Sequence, residues 1–259
     1  MQTDIIVTGA CGRMGATICK LARESADLRL VGLLEHPQCL DKLTGADCPV
    51  ADTPETLLQA AREAVVIDFT TPDASLSLAR VAAQTGNPVV MGTTGLSDGQ
   101  KVELQKLAQQ IPLLWSSNMS VGVNVLTKLL PQLATMLGED YDLEMVEVHH
   151  KHKKDSPSGT ALTMAEMLAE ARGWDLNDVA CCHREGIIGP RPHEEIGIQA
   201  VRGGGVAGVH TVYFLGQGER VEVTHHAHSR ENFAMGALRA AKWLKNQRPG
   251  RLYSMRDIF

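Results

Sequence analysis

Short apolar runs alternate with helix-length segments over the first 115 residues, and this alternation most constrains the fold. The runs are rich in Val, Ile and Leu, and they cover residues 5–7, 28–34, 64–68, 88–91 and 112–115. The segments with helical patterning cover residues 14–23, 54–63, 73–85 and 97–110. Strands that alternate with helices of this length form βαβ units around a parallel sheet that is covered on both faces. The sequence therefore predicts an α/β fold with a Rossmann-type, doubly wound parallel sheet.

The regular alternation of strand-like runs and helical segments ends after Trp115, which indicates a second structural unit. A helix is predicted at residues 121–137, and strand-like runs are predicted at 143–148, 196–201, 209–215 and 220–224. Another helix begins near Ser158, a polar stretch follows from residue 173 to about 195, and the last helix covers residues 232–245. A chain of 259 residues, 44% of them hydrophobic, is long enough to fill two cores.

Charge and cysteine content exclude several classes of protein. The formal net charge is −5, so the chain as a whole does not attract nucleic acid. The apolar runs are shorter than the ~18 residues of a membrane-spanning helix, and the first residues do not resemble a signal peptide. The six cysteines form no CxxC pair, which favours reduced thiols. We therefore expect a cytoplasmic protein with no nucleic-acid or membrane partner.

A glycine-rich motif directly follows the first predicted strand. Gly9, Gly12 and Gly15 have the spacing GxxGxxG, and Arg13 and Met14 lie between the last two glycines. Glycines at this spacing let the backbone turn tightly and approach a pyrophosphate at the N-terminus of the next helix. The motif predicts a dinucleotide site, and a structural glycine turn without a nucleotide is the alternative. Arg13 either contacts a phosphate or is a solvated residue of the first helical turn.

The end of the second predicted strand carries the residues that would select the cofactor. Glu35 lies 20 residues after Gly15, about where an acidic side chain accepts hydrogen bonds from ribose hydroxyls. His36 follows in the place where an arginine or lysine would bind a 2′-phosphate. A neutral imidazole binds phosphate less well than a guanidinium does. The sequence therefore favours NADH, with NADPH also used.

Three further loops follow strands of the predicted sheet and carry small or hydroxyl side chains. Because open parallel sheets bind ligands at the carboxyl ends of their strands, we expect these loops to contact the nicotinamide and its ribose. The residues assigned to the cofactor from these loops are Phe69, Gly92, Thr93, Thr94, Ser116, Ser117 and Met119. Ordinary turn chemistry is the alternative for each loop taken singly.

The segment from Glu147 to Ala161 carries the strongest chemical signal. Three imidazoles and three ammonium groups lie within residues 149–154, and a Pro-Ser-Gly-Thr turn at 157–160 then begins a helix. A helix start presents unpaired N–H groups and a partial positive charge, so nearby lysine and histidine complete an anion pocket. Histidine can also transfer a proton near neutral pH. The segment predicts a site for a small, multiply anionic substrate that needs proton transfer.

The same segment is also compatible with a solvated surface or with a metal centre. A run of charges is usually a solvated face, and the lysines fit that role. The histidine pairs 150/152 and 226/228 have the residue type of a metal centre, but lysines surround the first pair and no Asp, Glu or Cys stands at ligand spacing. We therefore expect no metal. Because neighbouring strand residues point to opposite sides, at most one of His149 and His150 is expected to share a site with Lys153.

Together, these motifs resemble the dihydrodipicolinate reductase family, also called 4-hydroxy-tetrahydrodipicolinate reductases, of the lysine and diaminopimelate pathway. The block from Glu147 to Ala161 is close to diagnostic, and the resemblance runs nearly end to end. It implies a Rossmann domain for NADH or NADPH at residues 1–118 and 231–259. It also implies a smaller α/β domain with a mixed sheet at residues 119–230, which binds substrate and builds a homotetramer.

The resemblance also implies a reaction and residue roles. Hydride from C4 of the reduced nicotinamide would convert the dicarboxylate 4-hydroxy-tetrahydrodipicolinate to tetrahydrodipicolinate with loss of water. His149 would be the proton donor, and Lys153 would be either a carboxylate clamp or a proton relay. The other substrate-binding residues would be His150, Ser158, Gly159, Thr160 and Thr94. Backbone groups of Gly92, Thr94, Ser117 and Met119 would hold the nicotinamide.

Two positions depart from the family pattern. His36 stands where many members have arginine, and Val209 stands where a glutamate is expected. Arg230 matches a family arginine near the hinge, and hinge closure between the domains would exclude water from the reaction. Two alternatives to the reductase are an NAD(P)-dependent dehydrogenase of another small dicarboxylate or amino acid, and a non-catalytic NAD sensor.

Overall fold

The computed structural model describes residues 2–259, and it divides the chain into two compact units. The first unit contains the chain up to Val121 together with Arg230–Phe259, and the second contains Gly122–Ser229. The predicted boundaries lay at 118/119 and 230/231, and the observed ones lie at 121/122 and 229/230. Within residues 2–259, no helix is both long and apolar enough to cross a membrane.

The elements follow one another along the chain much as the apolar patterning predicts. The strands are β1 (Thr3–Thr8), β2 (Leu28–Leu34), β3 (Val50–Ala51), β4 (Val65–Asp68), β5 (Val89–Met91), β6 (Leu113–Trp115), β7 (Asp142–His149), β8 (Ala180–Cys181), β9 (Ile196–Arg202), β10 (Gly208–Leu215), β11 (Arg220–Ala227) and β12 (Leu252–Tyr253). The α-helices are α1 (Arg13–Arg23), α2 (Pro54–Ala60), α3 (Pro72–Thr85), α4 (Asp98–Leu107), α5 (Val121–Leu137), α6 (Gly159–Arg172), α7 (Leu176–Val179) and α8 (Glu231–Leu244). Two 3-10 helices span Pro37–Leu43 and Met255–Ile258.

The first unit is built on a seven-stranded parallel sheet with the order β12-β6-β5-β4-β1-β2-β3. The chain runs from β1 outwards to β3 and then crosses back to β4, so the strand order reverses between β1 and β4. This reversal is the switch point at which open α/β sheets bind ligands. The predicted Rossmann-type sheet is therefore confirmed. The two-residue strands β3 and β12 were not predicted.

Both faces of this sheet are buried, which explains why its strands are apolar throughout. Successive strand side chains point to opposite faces, so Ile5 and Val7 pack on one side of the sheet and Ile6 packs on the other. The first side is covered by α1 and α8, and the second by α2, α3 and α4. The sheet therefore holds the carboxyl ends of its strands in fixed positions.

The second unit contains a mixed sheet of five strands with the order β11-β10-β7-β9-β8. Strand β10 pairs antiparallel with β7 and β11, whereas β9 pairs parallel with β7 and β8. Along β7, alternate residues are buried, and these are Leu143, Met145, Glu147 and His149. The first two pack in the core with α5 and α6. The buried face of one strand thus changes from apolar to ionisable towards its carboxyl end.

The final segment of the chain returns to the first unit. Helix α8 packs on α1 and on the central strands, and β12 adds to the sheet beside β6. Gly236 in α8 lies directly on the backbone of Met119, because a Cβ atom at Gly236 would lie 1.8 Å from the Met119 carbonyl oxygen. This close approach needs a residue without a side chain.

We predict that Gly236→Ala lowers the free energy of unfolding by about 1–3 kcal/mol, because the added methyl group meets backbone that cannot move independently. The matched control is Gly99→Ala in α4, where the nearest atom to the new Cβ would be Ser97 Oγ at 4.0 Å. The control should be neutral or slightly stabilising, since alanine favours helices. Urea denaturation of both variants measures the difference. Equal stabilities would contradict this packing.

Candidate active site

The glycine motif forms a tight turn between β1 and α1. Gly9 has a φ of 61°, a left-handed conformation that favours glycine. A Cβ atom at Gly15 would lie 2.1 Å from the Gly9 carbonyl oxygen, so the start of the helix packs directly on the turn. Gly12 is the N-cap of α1 and has no side chain to fill the space at the helix start. These three positions have the backbone arrangement that a dinucleotide pyrophosphate requires.

Glu35 lies against this turn at the end of β2. Its carboxylate accepts hydrogen bonds from the backbone N–H of Cys11 at 2.6 Å and of His36 at 2.8 Å. His36 is the N-cap of the following 3-10 helix, and its Nδ1 accepts from the N–H of Gln38 at 3.3 Å. The structure thus brings Glu35 and the glycine turn together, as the fingerprint requires. The residues present fit a dinucleotide.

A buried carboxylate orders the switch-point end of the sheet. Asp68 is the last residue of β4, and it accepts hydrogen bonds from the hydroxyls of Thr8 at 2.5 Å, Thr70 at 2.8 Å, Thr93 at 3.0 Å and Ser75. These partners come from β1, from the loops after β4 and β5, and from α3. The Thr93 hydroxyl is therefore engaged within the protein, and the Thr93 carbonyl accepts from Trp115 Nε1.

The other predicted nicotinamide residues surround the same edge of the sheet. A Cβ atom at Gly92 would lie 2.2 Å from the Phe69 ring, so Phe69 covers Gly92 closely. Ser116 donates its hydroxyl hydrogen bond to the Asn118 carbonyl at 2.9 Å. The remaining members differ in exposure, because the Met119 side chain is in the core whereas Thr94, Ser117 and Arg13 are exposed and Met14 is half-buried.

In the second unit, the buried face of β7 ends in an ionisable pair. Glu147 is fully buried and His149 is 8% exposed. His149 Nδ1 donates to Glu147 Oε2 at 2.5 Å. This pairing leaves Nε2 as the other reactive atom of the ring. A Cβ atom at Gly208 would lie 3.1 Å from Nε2, so glycine at that position leaves space beside Nε2.

Two more donors converge on the same carboxylate. Arg202 donates to both Glu147 oxygens, at 2.7 Å from Nη1 and 2.6 Å from Nη2, and the backbone N–H of Ser158 donates at 3.0 Å. We call Glu147, His149, Ser158 and Arg202 the Glu147 cluster. Burial alone would raise the pKa of Glu147, but the hydrogen bonds from Arg202 and His149 outweigh it and lower that pKa. The carboxylate is therefore ionised near neutral pH.

The pKa of His149 reflects opposing influences. Burial lowers it most, Glu147 raises it, and the charges of Lys153 and Arg202 lower it further, so that the pKa lies below its usual value. The charge of Lys153 therefore acts on His149. His150 directly follows β7, and its ring centroid lies 6.3 Å from that of His152.

The predicted carboxylate-binding turn forms the start of α6. Ser158 is the N-cap, and its buried hydroxyl accepts from the Ala161 N–H at 3.2 Å and lies 2.9 Å from His210 Nε2. Gly159 and Thr160 form the first turn of the helix. Lys153 pairs with Asp155 at 2.9 Å, and the hydrogen bond from Lys153 is the main cause that lowers the pKa of Asp155. An anionic side chain thus already lies beside Lys153 and the helix start.

Known proteins are similar to this chain over its whole length. The family profile described as "Dihydrodipicolinate reductase, N-terminus" matches residues 3–119, and the profile described as "Dihydrodipicolinate reductase, C-terminus" matches residues 122–259. The chain belongs to the dihydrodipicolinate reductase family. The 4-hydroxy-tetrahydrodipicolinate reductases of Nitratidesulfovibrio vulgaris and Desulfovibrio desulfuricans are 61% and 60% identical to it over 259 residues, which is 100% of each chain.

A solved structure agrees with this membership at the level of the fold. The dipicolinate-bound dihydrodipicolinate reductase from Paenisporosarcina sp. TG-14 has a TM-score of 0.80 at 24% identity, with 100% of both chains covered. An amine dehydrogenase from Mycobacterium smegmatis is similar in fold at a TM-score of 0.63 and 12% identity, over 97% of this chain and 95% of that one.

Sequence reasoning missed three residues that contact or face the predicted proton donor of this reductase-family chain. Glu147 and Arg202 belong to the Glu147 cluster, and the His210 ring meets the His149 ring edge-on at 5.1 Å. The strand period offered one signal, because Glu147 and His149 are two residues apart and so share a face. Arg202 and His210 were missed because no pattern in the sequence indicates how β9 and β10 are aligned with β7.

The buried His210 predicts a pH dependence of stability. Burial, followed by the charge of His149, lowers the pKa of His210 to about 4. An unfolded histidine titrates near 6.5, so between about pH 6.5 and 4 the unfolded chain binds a proton that the folded chain does not. Stability contributed by neutral His210 is therefore lost as the pH falls, by about 2 kcal/mol between pH 7 and pH 5.

Urea denaturation at pH 7 and pH 5 measures this effect. We expect His210→Gln to lose less stability between the two pH values than the unmodified chain does. The exposed His152→Gln serves as control and should keep the full pH dependence. The same pH dependence in His210→Gln and in the unmodified chain would contradict a neutral buried His210.

Proposed function

We propose that this protein reduces 4-hydroxy-tetrahydrodipicolinate to tetrahydrodipicolinate with loss of water, using NADH or NADPH, in lysine and diaminopimelate biosynthesis. Full-length identity of 61% to a 4-hydroxy-tetrahydrodipicolinate reductase supports this reaction. The observation in the structure that carries it is a buried histidine whose Nδ1 is held by a carboxylate, under the influence of a lysine next to a helix start. Such a site can bind an anion and transfer a proton.

Binding of the dicarboxylate rests on the cations and N–H groups at the start of α6. Lys153 is paired with the Asp155 carboxylate at 2.9 Å, which supports binding of a carboxylate group at this position. A substrate carboxylate would compete with Asp155 for the same donors. Thr160, His150, Ser158 and Thr94 are the further proposed contacts. The bound dipicolinate of the Paenisporosarcina protein, itself a planar dicarboxylate, is consistent with this chemistry.

Proton donation is assigned to His149. Because Nδ1 is bonded to Glu147, the transferable proton is on Nε2, beside Gly208. A proton placed at the reacting group compensates the negative charge that develops when the conjugated imine accepts two electrons. Lys153 raises the electrophilicity of the bound substrate through its charge and serves as clamp or relay.

The dinucleotide would be held by the first unit. Gly9, Gly12 and Gly15 leave room for the pyrophosphate, and Glu35 offers acceptor oxygens for ribose. The chemistry that reduced nicotinamide supplies when bound is hydride donation. Gly92, Thr94 and Ser117 are the proposed backbone contacts to its ring. We further propose a cytoplasmic homotetramer, on the family resemblance.

Turnover is tested by the loss of NADH or NADPH absorbance when the protein is mixed with freshly made 4-hydroxy-tetrahydrodipicolinate. We expect His149→Gln to lower kcat by about 10²–10⁴-fold with NADH affinity unchanged, because the acid is lost and the nucleotide residues are intact. His152→Gln, in the same loop, is the control and should turn over normally. If the unmodified protein oxidised neither NADH nor NADPH, the proposed function would be refuted, whereas undiminished turnover of His149→Gln would remove His149 from the chemistry.

Cofactor preference is tested at His36. We expect His36→Arg to gain NADPH affinity, because a guanidinium binds a 2′-phosphate in two hydrogen bonds and keeps its charge. His36→Asn is the control, since its side-chain oxygen can retain the cap on the Gln38 N–H without adding a charge. Titration of each variant with NADH and with NADPH measures the ratio of the two affinities. If NADPH affinity stays the same in His36→Arg, residues other than the one at position 36 recognise the 2′-phosphate.

A further inference from the structure

Arg202 and Glu147 have no role in the chemistry described so far, yet they form a largely buried, charged and hydrogen-bonded pair beside His149. Glu147 is fully buried, and its two oxygens accept from Arg202 Nη1 and Nη2, from the Ser158 N–H and from His149 Nδ1. A buried charge costs several kcal/mol unless hydrogen bonds satisfy it.

We propose that Glu147 is a positioning residue for His149, and that Arg202 holds Glu147 in place for this task. Glu147 fixes the ring orientation of His149 and keeps the hydrogen on Nδ1, so that Nε2 is the atom that exchanges a proton with substrate. The inference rests on the proposed function and deepens it.

Strand geometry accounts for this arrangement. Glu147 and His149 are two residues apart on β7 and therefore project from the same face. In the parallel pairing of β7 with β9, Arg202 lies opposite His149. From there its guanidinium reaches back to the Glu147 carboxylate and also donates to the Asp155 carbonyl at 2.9 Å. One arginine thus fixes both the carboxylate behind the histidine and the loop that carries Lys153.

The Glu147 carboxylate determines that Nδ1 of His149 carries a hydrogen and that Nε2 is the nitrogen available for proton exchange. An ionised carboxylate only accepts hydrogen bonds, so a histidine bonded to it must have its hydrogen on Nδ1. The planar fork of arginine binds both carboxylate oxygens at once and leaves little freedom for rotation. With Nδ1 and the ring plane set, Nε2 lies beside Gly208, where glycine leaves space that a side chain would fill.

The charges around His149 make the proposal measurable. The groups that face it are Glu147 on β7, Lys153 in the following loop, Arg202 on β9 and His210 on β10. Glu147 is the anion among them and favours the protonated ring, whereas the cations oppose it. Removing the charge of Glu147 should therefore make His149 lose its proton at lower pH.

The experiment is an NMR titration of His149 in the protein without ligands, with its resonance assigned by its loss in His149→Gln. In Glu147→Gln we expect the His149 midpoint to move down by about one pH unit or more, because an adjacent opposite charge is lost. The upper limb of the kcat–pH profile should move down with it, and kcat should fall by about 10²–10⁴-fold, as when an orienting carboxylate is neutralised in a catalytic triad.

Two further variants separate positioning from general structural damage. Glu147→Asp keeps the charge and should restore the titration midpoint. Glu144→Gln is the matched control, because Glu144 is on the same strand and is paired with Arg184 and Arg191 away from His149. It should leave the His149 midpoint unchanged even if it lowers stability. Should Glu147→Gln not fold, Arg202→Lys keeps the net charge and should lower kcat about tenfold through loss of the two-point contact.

An unchanged His149 midpoint in Glu147→Gln would overturn the proposal and leave Glu147 a purely structural residue. The titration needs neither substrate nor cofactor. If the unmodified protein oxidised neither NADH nor NADPH while the His149 midpoint moved as expected, the proposed function would be refuted and the coupling of Glu147 to His149 would be supported.

Discussion

The burial of one ionised carboxylate determines how the second unit is organised. Glu147 gives up all contact with water, so each of its oxygens must find donors within the protein. Those donors come from β7 itself, from β9 through Arg202 and from the start of α6 through the Ser158 N–H. Satisfying the carboxylate therefore joins three elements of the sheet and helix layer. The loop between β7 and α6 is held at both ends as a result.

The first unit uses a related arrangement at the carboxyl edge of its sheet. Asp68 is also buried, but hydroxyl groups rather than an arginine satisfy it. Neutral donors orient the surrounding loops without adding a positive charge beside the glycine turn. The second unit, by contrast, concentrates cations around His149. This difference in charge corresponds to the chemistry proposed for each unit, since a dicarboxylate substrate needs cations and a nicotinamide ring does not.

Which strands and site residues could be predicted from the sequence depends on whether the pattern that marks them is local along the chain. The long strands of both sheets were predicted because apolar runs and their period are local. The strands β3, β8 and β12 were missed, since two residues carry no period. His149 and Lys153 were found through a dense local motif. Arg202 is distant from Glu147 along the chain, and its assignment depends on strand register, which apolar patterning does not specify for a parallel pair.

The amino-acid sequence by itself determined the α/β plan in two units, the glycine turn and the position of the histidine segment, because spacing along the chain sets which backbone shapes and charges are adjacent. The return of α8 and β12 to the first sheet was implied by the family resemblance and not by the apolar pattern, and the tertiary structure shows its packing, with Gly236 directly on Met119. The same is true of the partners of His149. A buried carboxylate accepts whichever donors the neighbouring strands bring within hydrogen-bond distance, and that distance exists only after the strands have paired.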